Sequence, residues 1–329
     1  MRVMLLAVAL SLVAPAEARP ARGDVRILLF AGHGGPRWAT VRGRVLRGEP
    51  AKAPDPARGS LANAVETVRA FATREIEGAR VRVTLGTWSG EVKTDGDGIF
   101  EARVSGLETP LPVGATTASA ELVAMPAGPP PSPVSVAGPL FIVSDAPGVA
   151  VVSDFDDTVV QTRVNHKMQM IGQVLAANAA QLEPTPGVVA LYQGARDAGR
   201  AFFYVSGSPH NLYERIVAYL AYRGLPAGPV LLKNFPEDPV FAQAGYKEKR
   251  IEALLAAYPL LRFVLVGDSG ESDPVIYGGL QRRFPDRIAG VVIRELPEKP
   301  VASPGPGMHV TRDFSTDPTL IARLVTAAP

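Results

Sequence analysis

The chain has 329 residues, 47% of them hydrophobic, a length for about two domains of ordinary size. A net charge of +2, from 34 Lys+Arg against 32 Asp+Glu, argues against the clustered basic surface of a nucleic-acid-binding protein, so no nucleic-acid partner is expected. There is no cysteine, which removes disulfides, thiol nucleophiles and Cys-ligated zinc. The four histidines (His33, His166, His210, His309) are scattered, so a metal here would be held by oxygen.

The first residues carry the pattern of an export signal. Arg2 precedes an apolar stretch from Val3 to Val13, and Ala16-Glu17-Ala18 fits a small-x-small cleavage site. The stretch is shorter than the roughly 20 residues a membrane span requires, and no cysteine flanks the cut to carry a lipid. Residues 1–18 are therefore expected to be a signal peptide cleaved near Ala18. The mature protein is expected to be periplasmic or secreted, without a transmembrane anchor.

Residues 19–145 read as a β-rich domain. Asp24–Ala31, Thr40–Leu46, Ala79–Leu85, Gly98–Val104 and Leu140–Val143 are short runs of strand character separated by turn-formers. Between the second and third runs, Ser60 is expected to cap a helix in which Leu61, Val65, Val68 and Phe71 recur at helical spacing. Asp95-Gly-Asp-Gly98 mimics a fragment of a calcium loop but lacks the ligands that should follow, so a hairpin turn is expected. Pro126 to Pro133 is a loop, and the whole is expected to form a small β-sandwich.

From residue 146 to 329 the pattern changes. Strand runs at Val149–Ser153, Ala201–Val205, Phe263–Val266 and Ile288–Ile293 alternate with helices starting near Gly187, Pro209, Lys247 and Pro274. Such alternation implies an α/β fold with a parallel sheet covered on both faces.

Three of these strands end in polar residues. The first runs into Asp154-Phe-Asp156-Asp157-Thr158, the second into Ser206-Gly-Ser208-Pro-His210, and the third into Gly267-Asp268-Ser-Gly-Glu271-Ser-Asp273. Asp154 and Asp156 are two apart, so on an extended chain they leave the same face. Like charges that close repel, by roughly 4 kcal/mol at 4 Å and an effective dielectric of 20. A divalent cation is the simplest means of holding both ionised; an acidic turn after a strand is the alternative. Strand ends of a parallel sheet meet at one edge, so Asp154, Asp156, Ser206, Lys247 and Asp268 can converge. Carboxylates, carbonyls and water suit Mg²⁺, and with hydroxyls and an ammonium they are equipment for phosphoryl transfer.

Ser-Asp-Phe-Asp-Asp-Thr, Tyr-Val-Ser-Gly-Ser-Pro, Lys-x₃-Ile and Leu-Val-Gly-Asp-Ser-Gly-Glu-x-Asp resemble the four motifs of the haloacid dehalogenase-like superfamily. More closely, they resemble the catalytic domain of actin-patch-type phosphatidate phosphatases. Pro186-Gly187, Asp273-Pro-x-x-Tyr277 and Val292-Ile-Arg294 support this, and the resemblance covers residues 146 to about 296. It extends weakly into the β-rich domain through Gly43-Arg44-Val45 and Thr94–Gly98.

The resemblance implies a Rossmann-like haloacid dehalogenase-type three-layer fold and a Mg²⁺-dependent hydrolase of phosphomonoesters. Its substrate would be phosphatidate or a related lipid phosphate met at a membrane surface, or else a small water-soluble ester. A non-catalytic cation-binding module is the further alternative. Carried over residue by residue, Asp154 would be the nucleophile and Asp156 the acid–base group. Ser206 would bind phosphoryl oxygens and Lys247 would offset charge. Asp154, the carbonyl of Asp156 and Asp268 would ligate Mg²⁺, with Asp273 a further metal residue, direct or through water.

Thr158, Ser208 and His210 are candidates for substrate binding. Thr158 could instead stabilise the motif loop, Ser208 cap the helix behind Pro209, and His210 be structural. Asp157 is expected to orient the turn, and Arg294 to pair with Glu295 or another acid. The family's usual Trp after Ser-Pro is His210 here. No large cap insertion is visible, and Val159 to Gly187, with Met168, Met170 and Ile171, is expected to make a small lid or pocket wall.

Overall fold

A computed structural model describes residues 24–130, 132–161, 177–234 and 243–326. The expected signal peptide, His166 and the lid residues Met168, Met170 and Ile171 lie outside the described residues.

Nine strands build the N-terminal region: β1 (Val25–Leu29), β2 (Gly32–Gly35), β3 (Trp38–Arg47), β4 (Arg74–Glu75), β5 (Arg80–Leu85), β6 (Trp88–Lys93), β7 (Ile99–Ser105), β8 (Gly114–Ala124) and β9 (Ser135–Ile142). They form one connected sheet in the order β1-β3-β2-β9-β8-β5-β6, with β4 and β7 also on β3. Among the described residues of this sheet, β2 and β9 are the one parallel pair. The long β3 serves both sides: Thr40 faces His33 of β2 and Arg103 of β7. Val41, Val45, Val83, Phe100 and Leu140 share one core, so the expected sandwich is a single sheet around one apolar interior. Strands β2, β4, β6 and β8 escape a sequence reading. Gly32-His-Gly-Gly35 looks like a turn because glycine is depleted in strands, and the inward positions of β8 include Ala118 and Ala120 beside Leu122.

Helix α1 (Ser60–Phe71) forms where its periodicity places it, but Gly59 is its cap and Ser60 its first residue. Its orientation is inverted. Leu61, Val65, Val68 and Phe71 are 81%, 46%, 59% and 48% exposed, while Asn63 and Thr67 are buried. A polar network holds the inner face: Asn63 Nδ2 donates to Gln181 Oε1 at 2.7 Å, Asn211 Nδ2 to the Ala70 carbonyl at 2.9 Å, and Arg215 to Thr67 Oγ1.

The C-terminal region is a six-stranded sheet of β10 (Gly148–Ser153), β11 (Ala201–Pro209), β12 (Val230–Lys233), β13 (Leu261–Asp268), β14 (Ile288–Arg294) and β15 (Met308–Thr311). The order is β12-β11-β10-β13-β14-β15, and every pair is parallel. Helices α2 (Val188–Asp197), α3 (Tyr213–Tyr222) and α6 (Leu320–Thr326) cover one face, packing with Val151, Tyr204 and Val264. Helices α4 (Gln243–Ala257) and α5 (Asp273–Arg283) cover the other, with Val152, Phe203 and Leu265. Period-2 alternation along each strand thus feeds two cores. Lys247 does not open its helix as expected: α4 starts four residues earlier. The four-residue strands β12 and β15 and the helix α6 went unpredicted, being too short for periodicity to reveal.

The two regions are tied together. Arg26 meets Glu214 at 2.8 Å, His33 Nδ1 and the Tyr258 hydroxyl are 2.9 Å apart, and Asn234 Nδ2 donates to Asp97 Oδ2 at 2.9 Å. Asp95–Gly98 is the expected turn: Asp95 Oδ1 accepts from the amides of Asp97 and Ile99. Among the described residues, no helix is long and apolar enough to cross a membrane.

Candidate active site

Strand β10 is apolar from Val149 to Val152 because it is buried on both faces, and its ladder continues one residue past its end through Asp154 N–H to the Val266 carbonyl at 2.8 Å. Phe155 then turns into the core against Tyr219, with ring centres 5.6 Å apart. Asp157 takes a left-handed conformation at φ 55, which Asp tolerates better than most residues. Arg294 Nη1 donates to the Asp157 carbonyl at 2.6 Å. Asp157 therefore shapes the turn as expected, whereas Arg294 grips it through backbone and not through an ion pair with Glu295. Glu295 is engaged by Arg312 at 2.9 Å.

Asp154, Asp268 at the end of β13 and Asp273 at the start of α5 are buried, and each offers an oxygen within 4.8 Å of the others. Lys247, buried one turn into α4, lies 3.0 Å from Asp154 Oδ1, 2.7 Å from Asp273 Oδ1 and 3.1 Å from Glu271 Oε2. Burial alone would lower its ammonium, but Asp154 and Asp273 hold it charged, well above the ordinary lysine value. Burial pushes the carboxyls of Asp154, Asp268 and Asp273 up, Asp268 to about 7, with Lys247 opposing and the neighbouring acids reinforcing. Four carboxylates around one ammonium leave an excess of buried negative charge. A divalent cation among Asp154, Asp268 and Asp273 would relieve it, and oxygen donors are what such a hard cation requires. Thr158 Oγ1 donates toward Asp154 Oδ2 at 3.3 Å and Asp268 Oδ2 at 3.5 Å, so it bridges the acids and does more than brace the loop.

The Asp156 carboxylate lies outside this triad. Its Oδ2 accepts from Ser206 Oγ at 3.0 Å and Ser208 Oγ at 2.9 Å, and Ser206 Oγ accepts from the Ser208 amide at 3.0 Å. Burial raises its carboxyl, opposed by the two serine hydroxyls. Ser208 therefore serves Asp156 and does not cap the helix. The turn behind it, His210–Leu212, has Pro209 as its cap and no side-chain cap bond.

His210 is not gathered with the carboxylates. It is buried toward the β region, its ring 5.2 Å from that of Phe30. Glu271 was missed as a partner of Lys247. Its place inside the Asp268–Asp273 loop was the available signal.

Residues 149–295 match the family model described as "Phosphatidate phosphatase APP1, catalytic domain". The chain is 32% identical over 167 residues to Phosphatidate phosphatase APP1 of Saccharomyces cerevisiae, covering 49% of this chain and 28% of that protein. It is 26% identical over 158 residues to an uncharacterized protein of Schizosaccharomyces pombe, covering 47% and 26%. It thus spans little more than a quarter of these curated relatives. D,D-heptose 1.7-bisphosphate phosphatase from B. bronchiseptica, solved with magnesium and phosphate, shows a TM-score of 0.36 at 11% identity, over 54% of this chain and 98% of that one.

Proposed function

We propose that this chain, whose residues 149–295 belong to the catalytic-domain family of the phosphatidate phosphatases, hydrolyses a phosphomonoester through an aspartyl phosphate on Asp154, with phosphatidate or a related lipid phosphate as substrate. The observation that carries the chemistry is the division of labour between two acids two residues apart. Asp154 faces Lys247 at 3.0 Å, and Asp156 faces two serine hydroxyls. Lys247 opposes the upward push of burial on the Asp154 carboxyl and so favours the anion that a nucleophile requires.

Asp154 attacks phosphorus while the bond to the leaving oxygen breaks, and Asp156, its carboxyl raised by burial, gives that oxygen a proton. Asp156 then takes a proton from the water that attacks the acyl phosphate. Inorganic phosphate leaves and Asp154 is restored. Help of this acid–base kind is typically worth about 10²–10⁴ in rate. Ser206 can turn its hydroxyl from Asp156 to a phosphoryl oxygen, and Lys247 offsets charge between nucleophile and phosphate. Asp154, Asp268, the Asp156 carbonyl and Asp273, directly or through water, are the residues to hold Mg²⁺. When bound, the ion supplies charge neutralisation of phosphoryl oxygens.

The lipid reading is supported by the outward apolar stripe of α1. Leu61, Val65 and Val68 face solvent, with the exposed cations Lys52 and Arg74 nearby in the chain. A helix with an exposed apolar face suits a lipid surface. Its inner face is bonded to Asn211 and Arg215, just behind the Ser206–His210 loop. The leader-like residues 1–18 support a periplasmic or secreted location for this activity. His210, in place of the family's usual Trp, favours the second reading, a small water-soluble ester.

Phosphate release from phosphatidate in mixed micelles should exceed that from small phosphate esters and require Mg²⁺. Faster turnover of the small esters would select the second reading. No turnover of either would leave only cation binding.

A further inference from the structure

Between the β region and the α/β region lies a cavity of about 270 Å³, distinct from the carboxylate site and lined by a cationic end and an apolar wall. Its charged lining is Arg42, Arg103, Arg250 and Glu101. Arg42 and Glu101 are cross-strand partners on β3 and β7, with Arg42 Nε 3.7 Å from Glu101 Oε2, and Arg103 also pairs with Glu101. Two guanidiniums therefore share one carboxylate, and Arg250, stacked 5.1 Å from the Tyr246 ring centre, brings a third to the lining. Burial and the neighbouring Arg250 push Arg42 below the ordinary arginine value. His210 lines the same cavity at 4% exposure, and neither its Nδ1 nor Arg42 Nε has a hydrogen-bond partner. Cations gathered beside a buried guanidinium N–H that makes no hydrogen bond, its one carboxylate neighbour standing 3.7 Å away, are unfavourable unless a further anion joins them. In the same lining, Trp38, Leu254 and Ala257 give an apolar surface beside the cations.

The elements that build the catalytic site also build this cavity. Helix α4 sends Lys247 to Asp154 and, three residues on, Arg250 to the cavity. The end of β11 sends Ser208 to Asp156, and the turn that follows sends His210, two residues on, to the cavity.

We propose that this cavity is a second ligand site, taking the oxyanion head of an amphiphile, phosphoryl or carboxylate, against Arg42 and Arg250, with its apolar part along Trp38 and Leu254. Guanidinium forks match both heads bidentately. The proposal goes beyond the phosphatase reading and does not depend on it.

Trp38 is a built-in reporter, since Trp88 is the other of two tryptophans. In the full chain carrying Asp154→Asn, which removes turnover, and Trp88→Phe, octyl phosphate and octanoate would be titrated below their micelle concentrations, with inorganic phosphate alongside. The expected result is a saturable change in Trp38 fluorescence with one or both amphiphiles, at concentrations at least tenfold below those needed for inorganic phosphate. Whichever amphiphile binds more tightly identifies the head. Arg250→Gln should raise the midpoint about tenfold and Arg250→Glu further, with the thermal midpoint of unfolding unchanged to show an intact fold. The proposal is overturned if parent and Arg250→Glu titrate alike, if inorganic phosphate binds as tightly as octyl phosphate, or if neither fluorescence nor calorimetry detects saturable binding. Because binding is read in a protein unable to turn over, failure of the phosphatase reading would leave this result unaffected.

Discussion

Lys247 Nζ stands 3.0 Å from Asp154 Oδ1, and both side chains are sealed from solvent. The same ammonium reaches Asp273 and Glu271, so one cation holds three acids at the end of a parallel sheet. Removing one member of such a buried set strands the others, at a cost of about 3–5 kcal/mol. Lys247→Met should therefore lower the free energy of unfolding by about that amount, measured by urea denaturation, and abolish phosphate release. A variant as stable as the parent would mean that the acids are already compensated otherwise.

In the proposed mechanism Asp156 gives acid–base help and leaves phosphoryl capture to Asp154. Asp156→Asn should lower kcat about 10²–10⁴-fold with little change in KM, because Asp154 and Lys247 remain in place. Ser208→Ala removes one of two hydroxyls on Asp156 Oδ2 and should cost activity less than Asp156→Asn does. In the Asp156→Asn background Ser208→Ala should add almost nothing. Independent, multiplying effects in steady-state kinetics would contradict the shared role.

Metal removal should act on stability as well as on rate. Chelation leaves Asp154, Asp268 and Asp273 facing one another. Adding Mg²⁺ at 100 times its dissociation constant should then stabilise the fold by about 2.7 kcal/mol, visible in thermal denaturation. Asp268→Asn should shrink this gain and raise the Mg²⁺ needed for turnover. A thermal midpoint indifferent to Mg²⁺ in the parent would exclude the triad as its site.

The core motifs were legible because their chemistry is local. Asp154, Asp156, Ser206 and Asp268 stand at the ends of apolar strands, and parallel topology brings strand ends together whatever their separation in sequence. Partnerships set by three-dimensional packing were not legible. Nothing in a one-dimensional pattern shows that Arg294 grips a carbonyl or that His210 turns to Phe30 of the other region. The stripe of α1 makes the point most sharply. Leu61, Val65 and Val68 were correctly read as one face, but periodicity cannot say whether a face turns inward, and here Asn63 and Thr67 take the interior.

Acid should destabilise the fold through two imidazoles, His210 buried and His33 partly so. Burial lowers His33 to about 4 and His210 to about 3, against roughly 6.5 in an unfolded chain. Between these values the unfolded chain binds protons that the folded protein refuses. Their contribution is therefore complete above about pH 6.5 and declines as pH falls toward 4. His33→Gln removes one such group, so the stability gap between parent and variant should narrow by about 2 kcal/mol from pH 7.5 to pH 5. Titrating carboxyls are common to both proteins and cancel in the comparison. A gap independent of pH, by urea denaturation at each pH, would show that His33 is not held neutral.

The covalent role of Asp154 is tested most directly by phosphate release from the Asp154→Asn protein with Mg²⁺ present and its fold verified by circular dichroism. The account predicts release at the uncatalysed background with a native spectrum, since an amide oxygen cannot form the acyl phosphate. Release at anything near the parent rate from a folded Asp154→Asn protein would contradict it.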